Sequence, residues 1–476
     1  MILDKKFYFD TFRVTDCALE KLVSESLSTG GDYCDLYFEN TVCSDLLLRD
    51  GEVSSGGFNI DYGVGIRVLK GEKTGYAYSE STDMASMRAA AKCAALISST
   101  PSAGFPTEAR YFGKPNPAAD RYPMQQDWRV CESARLLPFL NALDRKIRSA
   151  DSRVIKVIAM LSSQVSDILM FNSWGELKYE TRPLGSISIS TVFKQGDRVE
   201  TNSVSRSLRA GVEMLTDSLV DELAQMSVKG MDERFAAQRP KGGRMDVVMG
   251  AGASGILLHE AMGHAFEADF NRKGQSVFSD KMGRKVCGEN ITIVDDGTLK
   301  GNRGAINFDD ELVPGQRTVM VENGVLTSFL HDRISARYYG VRPTGNGRRE
   351  SFRYHPIPRM RATYMEAGDA EPQDIIASVR KGIYVDQFSN GEVKIGEGDF
   401  TFYVKSGFLI ENGRLTMPVK DINVIGNGPE ALGDITMVGN DLKIDDSTWT
   451  CGKEQNAFVS CGIPTVLVKN LTVGGN

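Results

Sequence analysis

The chain has 476 residues, of which 41% are hydrophobic and 25% charged, and its formal net charge at pH 7 is −6. This length and ordinary hydrophobic content predict several packed domains and exclude a globally disordered chain. The 56 basic and 62 acidic residues are scattered along the sequence, which is unlike a nucleic-acid or anionic-lipid surface. We therefore expect neither nucleic acid nor membrane as a partner.

The sequence predicts a cytoplasmic protein. The N-terminal stretch MILDKKFYFDTF lacks the basic start and apolar run of a secretory signal. The longest apolar stretch, residues 247–266, is interrupted by glycines and contains two His and one Glu, so no membrane-spanning helix is predicted. The eight cysteines are spread along the chain without a tight framework, and we expect them to be reduced.

The N-terminal half is predicted to contain two α+β domains. In residues 1–105, β-rich runs separated by Gly- and Asp-containing turns precede a helical pattern, which indicates antiparallel strands covered by a helix. Residues 106–127 have the proline-rich, polar composition of a linker. Residues 128–238 begin and end with helical patterns around several strand patterns, and are predicted to form the second α+β domain.

The remainder, residues 239–476, is rich in glycine and in strand patterns. The segments DFTFYVKSGFLIENGRL and IPTVLVKNLTVGG alternate apolar and polar residues, as half-buried strands do. The predicted fold class is therefore α+β, with antiparallel sheets and packed helices in the N-terminal half. The C-terminal part is predicted to be a large β-rich domain, and its one persuasive helix carries the segment HEAMGH.

Three glycines before that helix match the spacing of a dinucleotide-binding motif. Gly250, Gly252 and Gly255 form G-x-G-x-x-G between a β-like run and a helical pattern. The motif also needs an acidic residue at the end of a second parallel strand, about 20 positions on, whereas Asp269 follows the helix directly. We therefore interpret the glycines as positions of tight packing and backbone freedom rather than as a nucleotide site.

The helix that contains HEAMGH has its titratable residues on one side. At about 100° per residue, Glu260 and His264 lie about 100° and 140° around the helix from His259, and Glu267 lies at about 80°. The complementary arc is apolar and consists of Leu257, Leu258, Ala261, Met262, Ala265, Phe266 and Ala268. The chain contains only four His, and a face with two of them, two Glu and no cation differs from an ordinary solvent face. The pattern makes a metal site a candidate, with a polar face that simply meets solvent as the alternative.

The two histidines are five residues apart, one more than in the usual zinc-protease helix. In a regular α-helix their Cα atoms lie about 8.6 Å apart, against about 6.2 Å for a four-residue spacing, so the ring directions diverge. A π-type turn, with i→i+5 hydrogen bonding, would bring the two positions into line. Because Gly263 is where the helix deforms most easily, we expect the helix to depart from α geometry near this residue.

A catalytic zinc site also needs a third protein ligand and an open position. From spacing alone, Glu267, Asp269 and a distant cysteine all remain candidates for the third ligand. His331 and His355 are isolated histidines in basic or apolar surroundings. We interpret them as structural or substrate-side residues rather than as ligands.

Several short blocks follow one another along the chain, namely HEAMGHAFEADF, GNGRRESFRYHPIPRM, VIGNGPEAL, MVGNDL, CGK and the terminal LTVGG, with DGEV, GVGIRVL and GYAYS near the start. In this order they closely resemble the TldD branch of the TldD/PmbA (TldE) family of bacterial and archaeal metallopeptidases. The resemblance covers essentially the whole chain. The non-metal branch of the family lacks H-E-x-x-x-H, so this chain is similar to the catalytic subunit.

The resemblance implies a zinc metalloprotease. The family's zinc ligands fall on His259 and His264, and its cysteine ligand falls on Cys451 in the segment TCGK. Two imidazoles and one thiolate suit Zn²⁺. The residues after CGK depart from the family pattern, which leaves Cys461 as an alternative thiol. The family's catalytic glutamate falls on Glu260, which implies peptide hydrolysis by a metal-activated water with Glu260 as general base.

Charged residues near these positions also match family positions. Glu267 and Asp269 are expected to orient the histidine ligands rather than to bind metal. Arg348, Arg349 and Arg359 lie in the blocks GNGRRES and PIPRM. They are predicted either to hold peptide carbonyls or a C-terminal carboxylate, or to form structural ion pairs.

The resemblance further implies short or unfolded peptides as substrates, and a dimer formed with a second copy or with a non-metal TldE/PmbA paralogue. An extended peptide can pair its backbone with the edge of a sheet. Two alternatives remain at this point: a non-catalytic peptide-binding or partner subunit with a structural metal site, and a nucleotide-binding protein. A closed structural site has no use for a base such as Glu260 beside its ligands, which favours catalysis.

Overall fold

The computed structural model describes residues 4–98, 120–394 and 396–474. Most of the predicted linker, residues 106–119, lies outside this part of the chain. Within the described residues, no helix is both long enough and apolar enough to cross a membrane.

A single antiparallel sheet runs through the N-terminal half. Its six strands are β1 (Tyr33–Arg49), β2 (Glu52–Lys70), β3 (Lys73–Ser79), β4 (Val154–Asn172), β5 (Leu177–Gln195) and β6 (Arg198–Leu208). Their order across the sheet is β3-β2-β1-β4-β5-β6. The central β1–β4 pairing extends from Asp35 opposite Asn172 to Arg49 opposite Ile158. The two predicted N-terminal domains therefore share one sheet, and their separation into two domains stays a prediction.

Helices cover this sheet above two separate apolar cores. They are α1 (Lys5–Phe12), α2 (Asp16–Leu27), α3 (Met84–Ala95), α4 (Ser133–Ala150), α5 (Asp217–Val228) and α6 (Met231–Ala236). In α4, Leu136, Leu140, Leu143 and Ile147 recur at helical spacing, and all four are buried in one core with residues of β4 and β5. The other core joins α1, α2 and α3 to β1 and β2. This is the predicted α+β arrangement.

The C-terminal part is dominated by strands, as predicted. They are β7 (Gly243–Met249), β8 (Ile293–Asp296), β9 (Arg317–Glu322), β10 (Val325–Leu326), β11 (Gly347–Arg348), β12 (Ile357–Pro358), β13 (Ala362–Met365), β14 (Lys381–Val393), β15 (Asp399–Glu411), β16 (Arg414–Val419), β17 (Ile422–Asn427), β18 (Ile435–Val438), β19 (Lys443–Asp445), β20 (Thr450–Lys453), β21 (Gln455–Phe458), β22 (Ser460–Ile463) and β23 (Val466–Gly474). One sheet has the order β10-β9-β8-β13-β22-β19. Another has the order β14-β7-β23-β17-β15-β16, and because β14 also pairs with β15 it closes on itself.

Few helices accompany these strands: α7 (Ile256–Leu258), α8 (Ala268–Arg272), α9 (Arg333–Tyr339), α10 (Pro372–Ala377) and α11 (Gly428–Gly433). The segment that begins with α7 carries HEAMGH. Its apolar side chains Leu257, Leu258, Met262 and Phe266 are fully buried in the largest apolar core, together with residues of β7, β14, β15 and β23. The α+β fold class with a β-rich C-terminal part is therefore confirmed.

A buried ion-pair network joins the N-terminal sheet to the C-terminal part. Arg67, on β2, donates from Nε to Asp35 on β1 at 2.8 Å and from Nη1 to Glu311 at 2.6 Å. Replacing Arg67 with Met is expected to lower the free energy of unfolding by about 3–5 kcal/mol, because two buried carboxylates lose the cation they share and Asp35 keeps only its pairing with Arg349. Urea unfolding followed by circular dichroism measures this change. Lys285→Met removes a cation from an exposed pair, and equal destabilisation by both substitutions would contradict the prediction.

Candidate metal centre

Three side chains that the sequence singled out meet in the interior of the C-terminal part. The ligand atoms of His259, His264 and Cys451 all lie within 4.8 Å of one another. The three residues are buried, with exposed fractions of 2%, 4% and 6%. The two imidazole centroids are 5.1 Å apart, and Cys451 Sγ lies 3.1 Å from His264 Nε2. The structure thus brings together the three residues implied as metal ligands.

The helix of HEAMGH changes its type at the histidines. After α7, residues His259–Gly263 form a π turn and His264–Phe266 form a 3-10 turn. The backbone N–H of His264 donates to the carbonyl oxygen of His259, which is an i→i+5 hydrogen bond. Such a turn brings positions five apart into line, so both imidazoles reach the same cluster. The predicted departure from α geometry near Gly263 is confirmed.

Packing provides the reason for glycine at position 263. Its φ is −55°, in the ordinary helical range, so the backbone itself does not require glycine. A Cβ atom at Gly263 would lie 2.0 Å from Sδ of Met360 and 3.4 Å from the carbonyl oxygen of Leu258. Glycine therefore allows the close approach of Met360 to the helix.

Cys451 comes from a short hairpin formed by β20 and β21, with Glu454 at the turn (φ 55°). Burial alternates along β20, so Cys451 and Lys453 point to the same, buried side. Arg359 fixes this hairpin: Nη2 donates to the carbonyl oxygen of Cys451 at 2.7 Å, and Nη1 donates to that of Gln455 at 2.6 Å. The guanidinium of Arg359 thus binds carbonyls of its own chain.

A carboxylate orients the ring of His264. Glu267 Oε2 lies 2.9 Å from Nδ1 of His264, while the Nε2 of the same ring faces Cys451. Lys453 Nζ lies 3.1 Å from that carboxylate oxygen and 2.8 Å from Asp269 Oδ1. Glu267 therefore contacts the histidine directly, whereas Asp269 is connected to it through Lys453. Sequence reasoning missed Lys453. Residues two apart in a strand point to the same face, so its position relative to Cys451 could have indicated that it lies near the cluster.

Electrostatic effects favour an ionised cluster. Burial raises the pKa of the Cys451 thiol, but His259 and His264 outweigh this effect and hold the pKa below its usual range. Burial lowers the pKa of His264, yet Glu267 and Cys451 raise it above the ordinary value. The pKa of Glu267 is raised by burial but lowered more strongly by Lys453 and His264. Cys451 is therefore a thiolate, which is the form of cysteine that binds metals.

Glu260 lies beside the cluster and retains access to solvent. Its side chain is 20% exposed, and its Oε2 lies 4.0 Å from Nε2 of His264. This is the same imidazole nitrogen that faces Cys451. A carboxylate at this place can exchange a proton with a water molecule next to the cluster.

The other predicted arginines are buried and engaged within the chain. Arg349 forms an ion pair with Asp35, with 3.3 Å between Nη2 and Oδ1. Arg348 donates from Nη1 to the carbonyl oxygen of Met360 at 2.6 Å. The ion-pair alternative therefore describes Arg349, while Arg348 contacts only a neutral carbonyl.

The remaining histidines and the alternative thiol do not join the cluster. His331 and His355 lie outside the group of three ligand residues, and burial lowers the pKa of both. Cys461 is buried on β22, and burial raises the pKa of its thiol well above the usual range. It is thus a neutral thiol in a place where the chain offers it no imidazole partner among the described residues.

The glycines of G-x-G-x-x-G are crowded by the chain itself. A Cβ atom at Gly250 would lie 2.5 Å from the hydroxyl of Tyr384, and one at Gly255 would lie 2.6 Å from the backbone nitrogen of Gly462. Gly252 has a φ of +100°, which L side chains rarely adopt. Tight packing and backbone freedom, as interpreted, account for all three.

The chemistry of the cluster fits a divalent transition-metal ion. Two imidazoles and one thiolate form a borderline-soft donor set that suits Zn²⁺. Nδ1 of His259 is buried and has no hydrogen-bond partner within the described part of the chain. Buried polar atoms without a partner are rare and point to a bound water or ion. The hydrogen bond that Nδ1 of His264 donates to Glu267 is the kind of support that metal-binding histidines commonly have.

The fold and this cluster together describe an α+β protein with a buried site of the type that can hold a metal ion. The models of the PmbA/TldA metallopeptidase family match in three stretches: domain 1 at residues 34–98, the central domain at 132–231 and the C-terminal domain at 242–475. The Metalloprotease TldD homolog of Haemophilus influenzae is 38% identical over 450 residues, which is 93% of this chain and 93% of that protein. This chain therefore belongs to the PmbA/TldA metallopeptidase family and to its TldD branch.

Two further relatives extend the comparison. The Zinc metalloprotease TldD homolog of Saccharolobus solfataricus is 32% identical over 294 residues, covering 61% of this chain and 65% of that protein. The crystal structure of TldE from Thermococcus kodakarensis has a TM-score of 0.75 and 19% identity, and covers 96% of this chain and 100% of that chain. At this level of identity the TldE structure shows a shared fold.

Proposed function

We propose that the protein is a zinc-dependent peptidase whose metal is held by His259, His264 and Cys451, with Glu260 as the general base. The observation that carries this proposal is the convergence of two imidazoles and a thiolate, Cys451 lying 187 residues from His264 in sequence, beside the carboxylate of Glu260. Three protein ligands leave one position for water or substrate, as in catalytic zinc sites. The name of the Saccharolobus relative supports zinc as the metal.

The residues around the cluster divide the chemical work. A bound zinc ion would supply Lewis acidity, polarising a peptide carbonyl and lowering the pKa of a water to about 7. Glu260 would accept a proton from the attacking water and later donate it to the nitrogen of the leaving amine. Glu267 binds Nδ1 of His264 and so keeps its Nε2 directed to the cluster.

We infer that the substrates are short or unfolded peptides. The three cluster residues are buried, and an extended chain can bring a peptide bond to buried side chains more readily than a folded domain can. Family membership and the shared fold with TldE support a dimer, formed with a second copy or with a TldE/PmbA paralogue. Light scattering of the protein alone and mixed with the paralogue tests this, and cell fractionation tests the proposed cytoplasmic location.

The central test combines metal analysis with peptide hydrolysis. We expect about one zinc per chain, hydrolysis of unstructured peptides, loss of activity with a chelator and recovery with added zinc. Activity is assayed both alone and with the paralogue, since a paralogue subunit is part of the proposal. A protein that binds no zinc, or hydrolyses peptides equally well with and without chelator, would contradict the proposal. A thermal shift that depends on nucleotide would favour the nucleotide alternative.

Replacing Lys453 with Met is expected to weaken zinc binding by about 10- to 100-fold, the usual effect of removing a partner that supports a ligand. Lys453 holds both Glu267 and Asp269, so its loss releases the carboxylate that orients His264. Competition with a chromogenic chelator measures the affinity. Lys453→Arg keeps the cation and is expected to recover part of it, whereas unchanged affinity in Lys453→Met would remove Lys453 from this role.

A further inference from the structure

A cavity that is separate from the cluster of His259, His264 and Cys451 has an unusual distribution of charge. It has a volume of about 620 Å³ and lies between the N-terminal sheet and the C-terminal part. Its lining includes residues of β1, β2, β4, β20 and β21. It also includes six arginines: Arg182, Arg209, Arg348, Arg349, Arg353 and Arg361. So many guanidinium groups around one cavity require anions to balance them.

Three of the six arginines have carboxylate partners. Arg182 is paired with Glu180 and Asp310, at 2.7 Å and 2.6 Å. Arg349 is paired with Asp35, and Arg353 is paired with Asp61 and Glu80. These pairs also occupy Asp61 and Asp310, two of the carboxylates that line the cavity. Two further carboxylates line the cavity, Glu39 and Glu350, and they accept hydrogen bonds from the backbone N–H groups of Phe352 and Asn456. Neither is paired with an arginine, so the other three arginines have no carboxylate at salt-bridge distance among the described residues.

Arg209, Arg348 and Arg361 form no salt bridge with any described residue, although their exposed fractions are only 7%, 7% and 2%. The contacts of their guanidinium groups are to neutral groups: Arg348 donates to the carbonyl oxygen of Met360, and Arg361 to that of Gly345. Arg209 donates to the carbonyl oxygen of Pro183 and lies over the ring of Tyr122. Nε of Arg209 and Nη2 of Arg361 are buried without any hydrogen-bond partner in the described ranges. A buried cation without a counter-charge is costly, so these three positions indicate a missing anion.

The pKa values of these arginines also indicate a missing anion. Burial lowers the pKa of Arg348 strongly, and the charges of Arg361, Arg359 and Arg209 lower it further. Burial also lowers the pKa of Arg361; Asp310 and Asp309 oppose this effect, while Arg182 and Arg209 add to it. Arginine stays protonated in proteins. Burial first, and repulsion between the guanidinium groups second, thus disfavour these cations, and a bound anion would offset both effects.

The cavity adjoins the metal cluster through the hairpin of β20 and β21. Thr450 lines the cavity and the next residue, Cys451, lines the cluster, because successive side chains of a strand point to opposite sides. Arg348 is linked to the cluster by a second route, since it binds the carbonyl of Met360, whose side chain packs against Gly263. An anion in the cavity therefore lies on the other side of a two-stranded hairpin from the proposed metal.

We infer that this cavity binds the C-terminal carboxylate of a peptide substrate, and that Arg348, Arg209 and Arg361 are its recognition residues. A carboxylate matches the planar guanidinium in geometry and charge. The cavity is much larger than a single small anion and has room for the last residues of a peptide. This inference rests on the proposed peptidase function, and it deepens that function by assigning peptides with a free C-terminus as the preferred class.

The test is a binding assay that does not need turnover. Zinc-loaded Glu260→Gln protein is titrated into a fluorescent unstructured peptide, made either as the free acid or as the C-terminal amide. We expect the acid to bind at least about 10-fold more tightly, because charged hydrogen bonds are the stronger kind. Arg348→Met should remove this difference and Arg348→Lys should keep part of it. Arg353→Met, which changes a cavity arginine that has its own carboxylates, should leave the difference intact.

Equal affinity for acid and amide would overturn the inference, even if the wild-type protein cleaves both peptides and the proposed function stands. Preferential binding of the acid without any cleavage by the wild-type protein would support the inference and contradict the proposed function. Inorganic phosphate is included as a competitor. Binding of phosphate together with equal affinity for the two peptides would identify a site for free anions and overturn the assignment to a peptide carboxylate.

The thermal stability of the variants distinguishes a recognition role of Arg348 from a structural one. Arg348 has a hydrogen-bond partner in Met360 but no counter-charge. Because its replacement removes the cost of burying an uncompensated charge, Arg348→Met is expected to have a Tm equal to or above that of the wild type. Arg182→Met breaks buried ion pairs and is expected to lower the Tm. A fall in Tm of the same size in both variants would show that Arg348 is a structural residue and would overturn its role in recognition.

Discussion

Replacing Glu260 with Gln is expected to lower kcat for peptide hydrolysis by about 10²- to 10⁴-fold, the usual contribution of a positioned general base. The carboxylate lies 4.0 Å from the imidazole nitrogen that faces Cys451, and it keeps some access to solvent. Glutamine has nearly the same shape but accepts no proton. We therefore expect zinc content and thermal stability to stay at wild-type values while turnover falls.

Single-turnover kinetics at saturating zinc measure this effect, because they report the chemical step rather than metal loading or product release. Glu289→Gln changes an exposed glutamate and serves as the matched control. Glu267→Gln provides a contrast, because a group that orients His264 should change zinc affinity before it changes turnover at saturating zinc. Normal turnover by Glu260→Gln would exclude the general-base role and would favour a peptide-binding subunit with a structural metal.

Several features of the helix that carries HEAMGH can be predicted from the local sequence. The wheel places the two histidines and Glu260 opposite an apolar arc, and the buried Leu257, Met262 and Phe266 agree with it. The five-residue spacing also predicts a departure from α geometry, and the observed π turn is the i→i+5 geometry that brings the two positions into line. The reason for glycine at 263 was not available from the helix alone, because it depends on Met360 in a distant segment.

The proposed third ligand, Cys451, could not be found from spacing, because it lies 187 residues from His264. Glu267 and Asp269, the local acids, were equally compatible with the sequence until the structure separated their contacts. Lys453, Arg209 and Arg361 were missed for the same reason. The side chains around them come from segments that are far apart in the chain. Helix and strand periodicity in the sequence reports only local structure and does not predict such contacts. The continuous N-terminal sheet is another long-range pairing of this kind.

Replacing Cys451 with Ser is expected to weaken zinc binding by more than about 100-fold, since removing only a supporting partner of a ligand costs 10- to 100-fold. The Cys451 thiol is held as a thiolate by His259 and His264. A serine hydroxyl stays protonated and is a far weaker donor for zinc. Metal analysis after gel filtration, together with chelator competition, measures the loss. Activity without added zinc should fall in parallel.

Cys461→Ser is the matched control, because it makes the same chemical change at a second buried cysteine of the same part of the fold. Burial keeps the Cys461 thiol neutral, and its side chain is not in the cluster with the two histidines. We expect full zinc content in Cys461→Ser, together with a modest loss of stability from a hydroxyl placed in an apolar site. The opposite pattern, with zinc lost in Cys461→Ser and kept in Cys451→Ser, would move the third ligand to Cys461 and require the hairpin of β20 and β21 to rearrange around the metal.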